Sequence, residues 1–397
     1  MRRRGMLVLL VLLAPCVAAG GGSAREEAFV ARGFSRRTIY HSPQTPGYTS
    51  WVGAWEMPDK SLMVCFTQAT GPVKGRPLVA PALREKMGIP SGYDFLGLDQ
   101  REIYLRSPDG GRQWDQVGFT SYEAVGASAY GGAATVALPD GTIIRRVNGW
   151  DLMQDPMVPH TAFLERSTDG GKTWGDRQVL LDPARFVYQL SRIRMLRDGR
   201  LLASGQSWAA PAGSSHQVLE KVRPSLLLMV SRDSGRTWQR HDVVPAEYRD
   251  VQWDEWDFAE VPGGDLLAVF RRGDPDNPRR EVRWQGLFKK KGDSWTLEKF
   301  RPAPFPHSGH PELLATREGV VLHIATTGIH WTADGGEHWT VLPVPGFSGP
   351  YRSRYYPRSL QTRDGRIYIF GHNGSDNRYG EADQSIDMDS FVLAPAQ

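Results

Sequence analysis

One eight-residue pattern occurs four times in the chain, and it constrains the fold more than any other feature. Each copy reads Ser/Thr-x-Asp-x-Gly-x-x-Trp, and the copies begin at Ser107, Ser167, Ser231 and Thr332. The hydroxyl and the carboxylate can bond nearby backbone amides, the glycines permit positive φ, and the Trp returns to an apolar layer. The pattern therefore predicts a β-hairpin turn fastened to its own sheet.

A second signal alternates with the octets: a short polar turn, often Asp-Gly, that leads into an apolar strand. Six such turns occur, at Asp59, Asp140, Asp198, Gly263, Glu318 and Asp364. In the first three units the octet follows the polar turn by 27 to 48 residues. This order predicts that the polar turn joins the first two strands of a sheet and the octet joins the last two. The segment 288–295 is interpreted as a decayed octet. An interval of roughly 45 to 80 residues between polar turns fits a four-stranded blade. These signals together predict an all-β, six-bladed β-propeller.

The N-terminus is typical of a bacterial secretory signal. Arg2, Arg3 and Arg4 precede an apolar run from 6 to 17, and small residues follow it. We therefore predict a signal peptide at 1–19, export to the periplasm or the extracellular space, and a single propeller domain at 20–397. Cleavage would leave Cys65 as the one cysteine, and its apolar neighbours predict a core thiol. Closing the ring requires a strand from the N-terminus, predicted around 36–40.

Composition and charge exclude several classes of function. The formal charge of +4 is small for 397 residues, and acidic and basic residues are interspersed, so no nucleic-acid surface is indicated. The sequence contains no nucleotide-binding loop, EF-hand loop, zinc signature or transmembrane run. We therefore expect a monomer that requires no cofactor and no metal.

The octets are Asp boxes, and the chain resembles the sialidase (neuraminidase) superfamily of Asp-box propellers. In that family the boxes are structural and lie away from the active site. Three arginines bind the carboxylate of the sugar, an Asp serves as acid/base, and a Glu activates a Tyr nucleophile. The resemblance implies an exo-acting glycoside hydrolase for terminal, anionic sugars of a glycan.

The best local match to the family is the stretch 254–272. Glu255 falls on the family's catalytic glutamate, and Arg271 or Arg272 falls on a triad arginine. Because side chains alternate along a strand, only one of this arginine pair can face the pocket. The matching is supported by the turn and the apolar strand that lie between the Glu and the Arg.

The other family roles have more than one candidate. Asp94 and Asp99 both precede the first Asp box at a distance comparable to that of the family's acid/base. Tyr355 and Tyr356 lie in the region of the nucleophile, although the family spacing falls on the next residue. The long insert 67–100 is a candidate wall of the pocket, or else a surface excursion.

Two departures from the family concern the arginine triad. The first blade has Trp51 and its neighbours where sialidases commonly have an Arg-Ile-Pro pattern, and the stretch 324–331 contains no arginine. Further candidates for binding the substrate are Arg36, Arg352, Arg354 and His310. With the triad incomplete, two other functions stay open: a glycan-binding propeller without catalysis, and a hydrolase or lyase for another polysaccharide.

Overall fold

A computed structural model describes the chain over 29–44, 47–82, 94–121, 127–130, 134–151, 158–159, 162–212, 214, 216–219, 221–273, 281–306, 309–373 and 384–396. The predicted signal peptide lies outside these residues. Within them, no helix has the length and apolar character needed to cross a membrane. The described helical segments are short: an α-helix at His216–Leu219 and a 3₁₀ helix at Ala246–Tyr248.

Six antiparallel sheets are arranged as the blades of a propeller. Blade 1 contains β2 (Tyr48–Glu56), β3 (Leu62–Thr70), β4 (Asp99–Ser107) and β5 (Asp115–Ser121). Blade 2 contains β6 (Ala127–Tyr130), β7 (Thr135–Ala137), β8 (Ile143–Asp151), β9 (Val158–Pro159), β10 (Phe163–Ser167) and β11 (Gly175–Gln178). Blade 3 contains β12 (Val187–Met195), β13 (Leu201–Trp208), β14 (Ser225–Ser231) and β15 (Gln239–His241).

The second half of the ring repeats this order. Blade 4 contains β16 (Trp256–Glu260), β17 (Leu266–Gly273), β18 (Glu281–Lys291) and β19 (Ser294–Pro302). Blade 5 contains β20 (Leu313–Ala315), β21 (Val321–Ala325), β22 (Gly328–Thr332) and β23 (Thr340–Val341). Blade 6 contains β24 (Tyr355–Gln361), β25 (Arg366–Asn373), β26 (Ser385–Pro395) and β1 (Phe29–His41). The predicted all-β, six-bladed propeller is thus confirmed.

Blade 6 takes its outermost strand from the N-terminus. β1 pairs antiparallel with β26, with Arg36 opposite Asp389 and Phe29 opposite Pro395. The predicted donor strand around 36–40 is therefore confirmed. The described sheets leave no gap in the ring, because the first and last strands of the chain share one ladder.

Each Asp box forms the predicted turn between the third and fourth strands of its blade. In the first box, Ser107 Oγ donates to Asp109 Oδ1 at 2.9 Å and accepts from the Gly111 amide at 2.8 Å. Asp109 Oδ1 also accepts from the amides of Arg112 and Gln113 at 3.0 Å. The boxes at 167, 231 and 332 repeat this pattern of the hydroxyl and the carboxylate. A single short loop thereby satisfies its own backbone donors.

The second glycine of each box also contacts the preceding blade. In blade 5, Gly336 has a φ of 90°, and a Cβ added to it would lie 2.8 Å from Leu267 Cδ1 of blade 4. The Gly336 carbonyl accepts from Gln285 Nε2 at 2.8 Å and from Arg301 Nη2 at 2.9 Å, both of blade 4. In blade 1, Gly111 meets Met388 and Arg37 of blade 6 in the same way. The boxes therefore fasten blades to each other as well as closing a turn.

Apolar packing fills every interface between neighbouring blades. Six buried clusters lie between blades 1 and 2, 2 and 3, 3 and 4, 4 and 5, 5 and 6, and 6 and 1. Cys65 belongs to the first of these, is fully buried and has no disulfide partner, as the sequence predicts. Burial raises the pKa of its thiol well above the ordinary value. The core of the protein is thus a ring of layers between sheets.

The two glycines of one Asp box provide a test of the contact between blades. Gly335 has a positive φ of 71°, and a Cβ added there would meet Leu287 Cδ1 at an ordinary 3.9 Å, whereas a Cβ at Gly336 would clash with Leu267. Both variants lose about 1–2 kcal/mol to backbone strain, and we expect Gly336→Ala to lose a further ~1–3 kcal/mol to overpacking. Urea unfolding of both variants measures the difference. Equal losses would contradict a role in joining the blades.

Candidate active site

Glu255, Arg271 and Tyr356 come together near the start of the innermost strands of blades 4 and 6. Arg271 Nη1 lies 3.0 Å from Glu255 Oε2 and 3.4 Å from the Tyr356 hydroxyl. The side chains of Glu255 and Arg271 are 29% and 23% exposed, so solvent and small ligands can reach them. The structure therefore brings a carboxylate, a guanidinium and a phenol from two separate sequence regions into one group, called here the Glu-Arg-Tyr group.

Strand pairing explains how blade 4 presents this group. Glu255 directly precedes β16, and its carbonyl accepts from the Arg271 amide at 2.8 Å, which extends the β16–β17 ladder by one bond. Arg271 therefore points towards Glu255, and Arg272, the next residue along the strand, points the other way. The Arg272 guanidinium lies 4.3 Å from the centre of the Trp284 ring. The alternation predicted for this pair places Arg271 in the group.

An irregular backbone presents Tyr356. The β24–β25 pairing is interrupted between Tyr355 and Arg358, and Tyr356 has a φ of 46°. The β2–β3 pairing has a similar irregularity, and there Trp51 has a φ of 53°. Non-glycine residues adopt this conformation at a cost of roughly 1–3 kcal/mol and are concentrated at functional sites. Both aromatic rings pack in one buried cluster with Tyr48.

Two histidines flank the Tyr356 ring. His372 stacks on it at 6.1 Å between centroids, and its Nδ1 is 3.3 Å from Ser50 Oγ. Burial lowers the pKa of His372 to about 3. His310 lies 6.2 Å from the same ring, and burial, together with nearby arginines, holds its pKa well below the ordinary value. Both rings are therefore neutral at neutral pH and do not act as proton donors there.

A buried ion-pair network lies directly beneath this group along the propeller axis. It consists of Arg192 and Arg194 on β12, Asp257 on β16, Glu312 just before β20, and Arg358 on β24, and it is called here the axial network. Asp257 lies 3.0 Å from Arg192 Nε and 2.8 Å from Arg194 Nη2. Glu312 accepts from Arg192 and from Arg358 Nη1, the latter at 3.2 Å. The network connects blades 3, 4, 5 and 6 at the centre of the ring.

The axial network was missed at the sequence level. Its members are separated by as many as 166 positions, so no local motif contains them. One signal is present in hindsight: Arg192 and Arg194 alternate with apolar residues on an inner strand, and Asp257 alternates with Trp256 and Phe258. Charges at alternate positions of a buried strand face the axis of a propeller together.

The two acid candidates are placed differently from each other. Asp94 is 1% exposed, and its carboxylate accepts from the Val79 amide at 3.0 Å and the Leu96 amide at 3.3 Å. Val79 and Leu96 pack in the cluster that contains Tyr356, so the described part of the insert does border the site. The Asp99 side chain is 46% exposed and pairs with Arg101 on the outer part of blade 1.

The remaining candidates belong to blade 6, and Tyr355 among them adjoins the Glu-Arg-Tyr group. Arg36 donates to both oxygens of Asp389 at 2.6 Å, and Arg354 pairs with Asp387. Arg352 is exposed, and its carbonyl accepts from Arg36. The ring of Tyr355 lies 5.0 Å from that of Tyr356 and borders Gly309. The Tyr356 hydroxyl lies 3.4 Å from Arg271 Nη1, which places Tyr356 in the Glu-Arg-Tyr group.

A cavity of about 720 Å³ opens at the other end of the axis. It is lined by the ends of the inner strands and by the polar turns that follow them, including Glu56, Arg197, Glu260 and Arg317. Arg194 borders this cavity and also pairs with Asp257, so the axial network separates the cavity from the Glu-Arg-Tyr group. Among the described residues, no group of three or more His, Cys, Asp or Glu side chains is arranged to hold a metal ion.

Solved structures with this fold include several glycosidases. The chain is 14% identical to the GH93 α-L-arabinofuranosidase of Fusarium graminearum, with a TM-score of 0.58 over 89% of this chain and 97% of that chain. It is 11% identical to the intramolecular trans-sialidase of Ruminococcus gnavus, with a TM-score of 0.57 over 89% and 96%. A protein of unknown function from Dyadobacter fermentans is 17% identical, with a TM-score of 0.62 over 92% and 100%.

These similarities show a shared six-bladed propeller, the fold of the sialidases to which the Asp boxes point. At these identities they show the fold alone. No protein-family model matches the chain, and no curated protein matches it in sequence.

The axial network predicts a strong effect of a single buried substitution. Asp257→Asn removes a buried charge that pairs with the buried Arg192 and the partly exposed Arg194. We expect it to lower the free energy of unfolding by roughly 3 kcal/mol or more. Asp265→Asn, on the polar turn of the same blade, removes a half-exposed pair with Lys289 and serves as control. We expect a loss below about 1 kcal/mol there. Urea unfolding measures both losses, and similar values would contradict a stabilising role of the axial network.

The low pKa of His372 predicts a pH dependence of stability. The folded protein keeps this ring neutral down to about pH 3, whereas an unfolded chain binds the proton below about pH 6.5. Stability is therefore lost as pH falls from about 6.5, by at most about 1.4 kcal/mol per pH unit from this residue. We expect His372→Gln to reduce the slope of unfolding free energy against pH between pH 6.5 and 4.5. An unchanged slope would contradict the assignment.

Proposed function

We propose that this protein is an exported, exo-acting glycoside hydrolase of the sialidase type that removes a terminal anionic sugar from a glycan. One observation supports this above all others: Arg271 bridges the Glu255 carboxylate and the Tyr356 hydroxyl. A base, a phenol and a cation at one end of a propeller axis are the parts that such a hydrolysis requires. The pairing was expected from the family resemblance, and the geometry supports it.

The proposed reaction uses Tyr356 as the nucleophile. The phenol gives its proton to Glu255, and the phenolate oxygen attacks the anomeric carbon as the glycosidic bond breaks. The electron pair of that bond goes to the leaving oxygen, which takes a proton from the acid. Water then attacks the anomeric carbon and gives a proton to the deprotonated acid, while the bond to the Tyr356 oxygen breaks and the phenolate takes back its proton from Glu255. A neutral nucleophile avoids repulsion by the carboxylate of the sugar.

Asp94 is the better candidate for the acid of the two that the sequence offers. It belongs to the insert that packs against the Tyr356 cluster, whereas Asp99 points outwards from the blade. The carboxylate of Asp94 is buried and bonded to backbone amides in this state. Protonation of a leaving oxygen by Asp94 therefore requires the insert to shift, and Asp94→Asn separates this role from a purely structural one.

A second function is supported by the departure from the arginine triad. Trp51 stands where sialidases commonly have an arginine, and it packs against Tyr48 at 5.9 Å between ring centroids. A less cationic pocket suits a neutral sugar, and two of the fold's solved relatives are an α-L-arabinofuranosidase and an α-L-arabinanase bound to arabinobiose. An exo-hydrolase for a neutral furanoside is therefore the alternative. A glycan-binding propeller without catalysis is the third outcome to be tested.

Turnover of a fluorogenic aryl α-sialoside by the purified mature protein tests the first function. We expect Glu255→Gln and Tyr356→Phe each to lower kcat/KM by ~100-fold or more, because both remove a group of the chemical step. Glu260→Gln is the matched control, since Glu260 lies at the opposite end of the same strand and borders the other cavity. We expect it to retain the activity of the wild type.

The absence of turnover with folded wild-type protein from acidic to neutral pH would overturn the sialidase function. The same assay with an aryl α-L-arabinofuranoside then tests the alternative. If neither substrate is cleaved, binding to a glycan array distinguishes a lectin-like propeller from a hydrolase for another polysaccharide.

A further inference from the structure

Arg358 belongs to the axial network and stands two positions after Tyr356 on β24. It is 4% exposed, and its Nη1 donates to Glu312 Oε2 at 3.2 Å and to the Pro357 carbonyl at 3.0 Å. Its Nε and Nη2 have no hydrogen-bond partner among the described residues. A buried guanidinium edge without an acceptor is costly in free energy, and native proteins rarely keep one without a function.

The charge around Arg358 is not balanced. The axial network contains three guanidinium groups and two carboxylates, which leaves one net positive charge at the centre of the ring. Burial lowers the pKa of Arg358 to about 10, so it remains a cation at neutral pH. His310 beside it is neutral and supplies no negative charge. Arg358 is the cation of the network that lies on the same strand as Tyr356, two positions further along β24.

Arg358 and Tyr356 interact electrostatically. The negative forms of Glu255 and Tyr356 both raise the pKa of Arg358, although burial has the larger, opposite effect. The interaction is reciprocal, so the cation favours the ionised phenol to the same extent. The unpartnered edge is inaccessible to solvent, which keeps water from screening the charge. The same burial prevents direct contact with a substrate, so Arg358 can act only through its neighbours.

We propose that Arg358 is a positioning residue whose unpartnered guanidinium edge stabilises the negative charge that Tyr356 acquires as it transfers its proton to Glu255. The inference rests on the proposed function, because the nucleophile belongs to it. The charge appears only as the reaction proceeds, so the interaction favours the transition state over the bound substrate and increases kcat. Arg271 holds the hydroxyl from one side, and Arg358 supplies the field from beneath.

The ionisation of Tyr356 can be measured without any substrate. Protein labelled with ¹³Cζ-tyrosine is titrated by NMR, and Tyr356→Phe identifies the signal. We expect Arg358→Met to move the midpoint to higher pH by roughly one unit or more. We expect Glu312→Gln to move it in the opposite direction, because that change removes a negative charge from the network. The other charged or titratable groups around the ring are Glu255, Arg271, His310, Tyr355 and His372.

The opposite signs separate electrostatics from loosened packing. Both substitutions break the Arg358–Glu312 pair, so a purely structural effect moves the midpoint in the same direction in both variants. Arg358→Gln also removes the charge and is the variant to use if Arg358→Met does not fold, whereas Arg358→Lys keeps the charge and is expected to keep the midpoint near that of the wild type. Arg200→Met is the matched control: Arg200 is a buried arginine paired with Asp198 on the polar turn between β12 and β13. We expect it to leave the midpoint unchanged.

Kinetics provide the second measurement. With a substrate that the wild type cleaves, we expect Arg358→Met to lower kcat by ~10-fold or more with KM changed less than about threefold, and Arg358→Lys to restore part of kcat. An unchanged midpoint, or shifts of one sign in both network variants, would overturn the inference even if the enzyme is active. Opposite shifts in a protein that cleaves no sugar would overturn the proposed function and leave the coupling established.

Discussion

The ladder between β1 and β26 is the interaction on which the rest of the molecule depends. A propeller forms a closed ring only if its last blade packs against its first. Here the two ends of the chain supply adjacent strands of blade 6, which closes the ring. Apolar clusters fill all six interfaces, and the second glycine of each Asp box allows neighbouring blades to approach within contact distance. Each blade therefore packs against another blade on both sides, and no blade is left at an open edge of the ring.

The Glu-Arg-Tyr group depends on this closure. Glu255 and Arg271 come from blade 4, Tyr356 comes from blade 6, and blade 5 lies between them with Glu312. Because blade 5 separates blades 4 and 6, packing around the ring fixes the distance between the Glu255 carboxylate and the Tyr356 hydroxyl. The strained backbone at Tyr356 also depends on the ring, because the surrounding strands hold this residue at a positive φ that it would not adopt alone.

The sequence predicted the fold better than the site, for a physical reason. Asp boxes and polar turns are local, and their hydrogen bonds join residues within five positions, so the pattern is visible in one dimension. Glu255 and Arg271 were also predicted together, because they share one hairpin. Three features could be seen only in the structure: the contact of Tyr356 with Arg271, the position of Arg272 over the Trp284 ring, and the axial network. They depend on a backbone irregularity and on contacts between distant strands.

The contact that closes the ring has a consequence for the order in which the molecule can form. Arg36 and Asp389 are 353 positions apart, so this pairing is among the last that a growing chain can make. Until the final strand is available, blade 6 lacks its central ladder and β1 has no partner strand. Closing this ladder brings together residues from the two ends of the chain, so its entropic cost is that of a loop of nearly the full chain length. The topology therefore favours slow, late closure of the ring after the individual blades have formed.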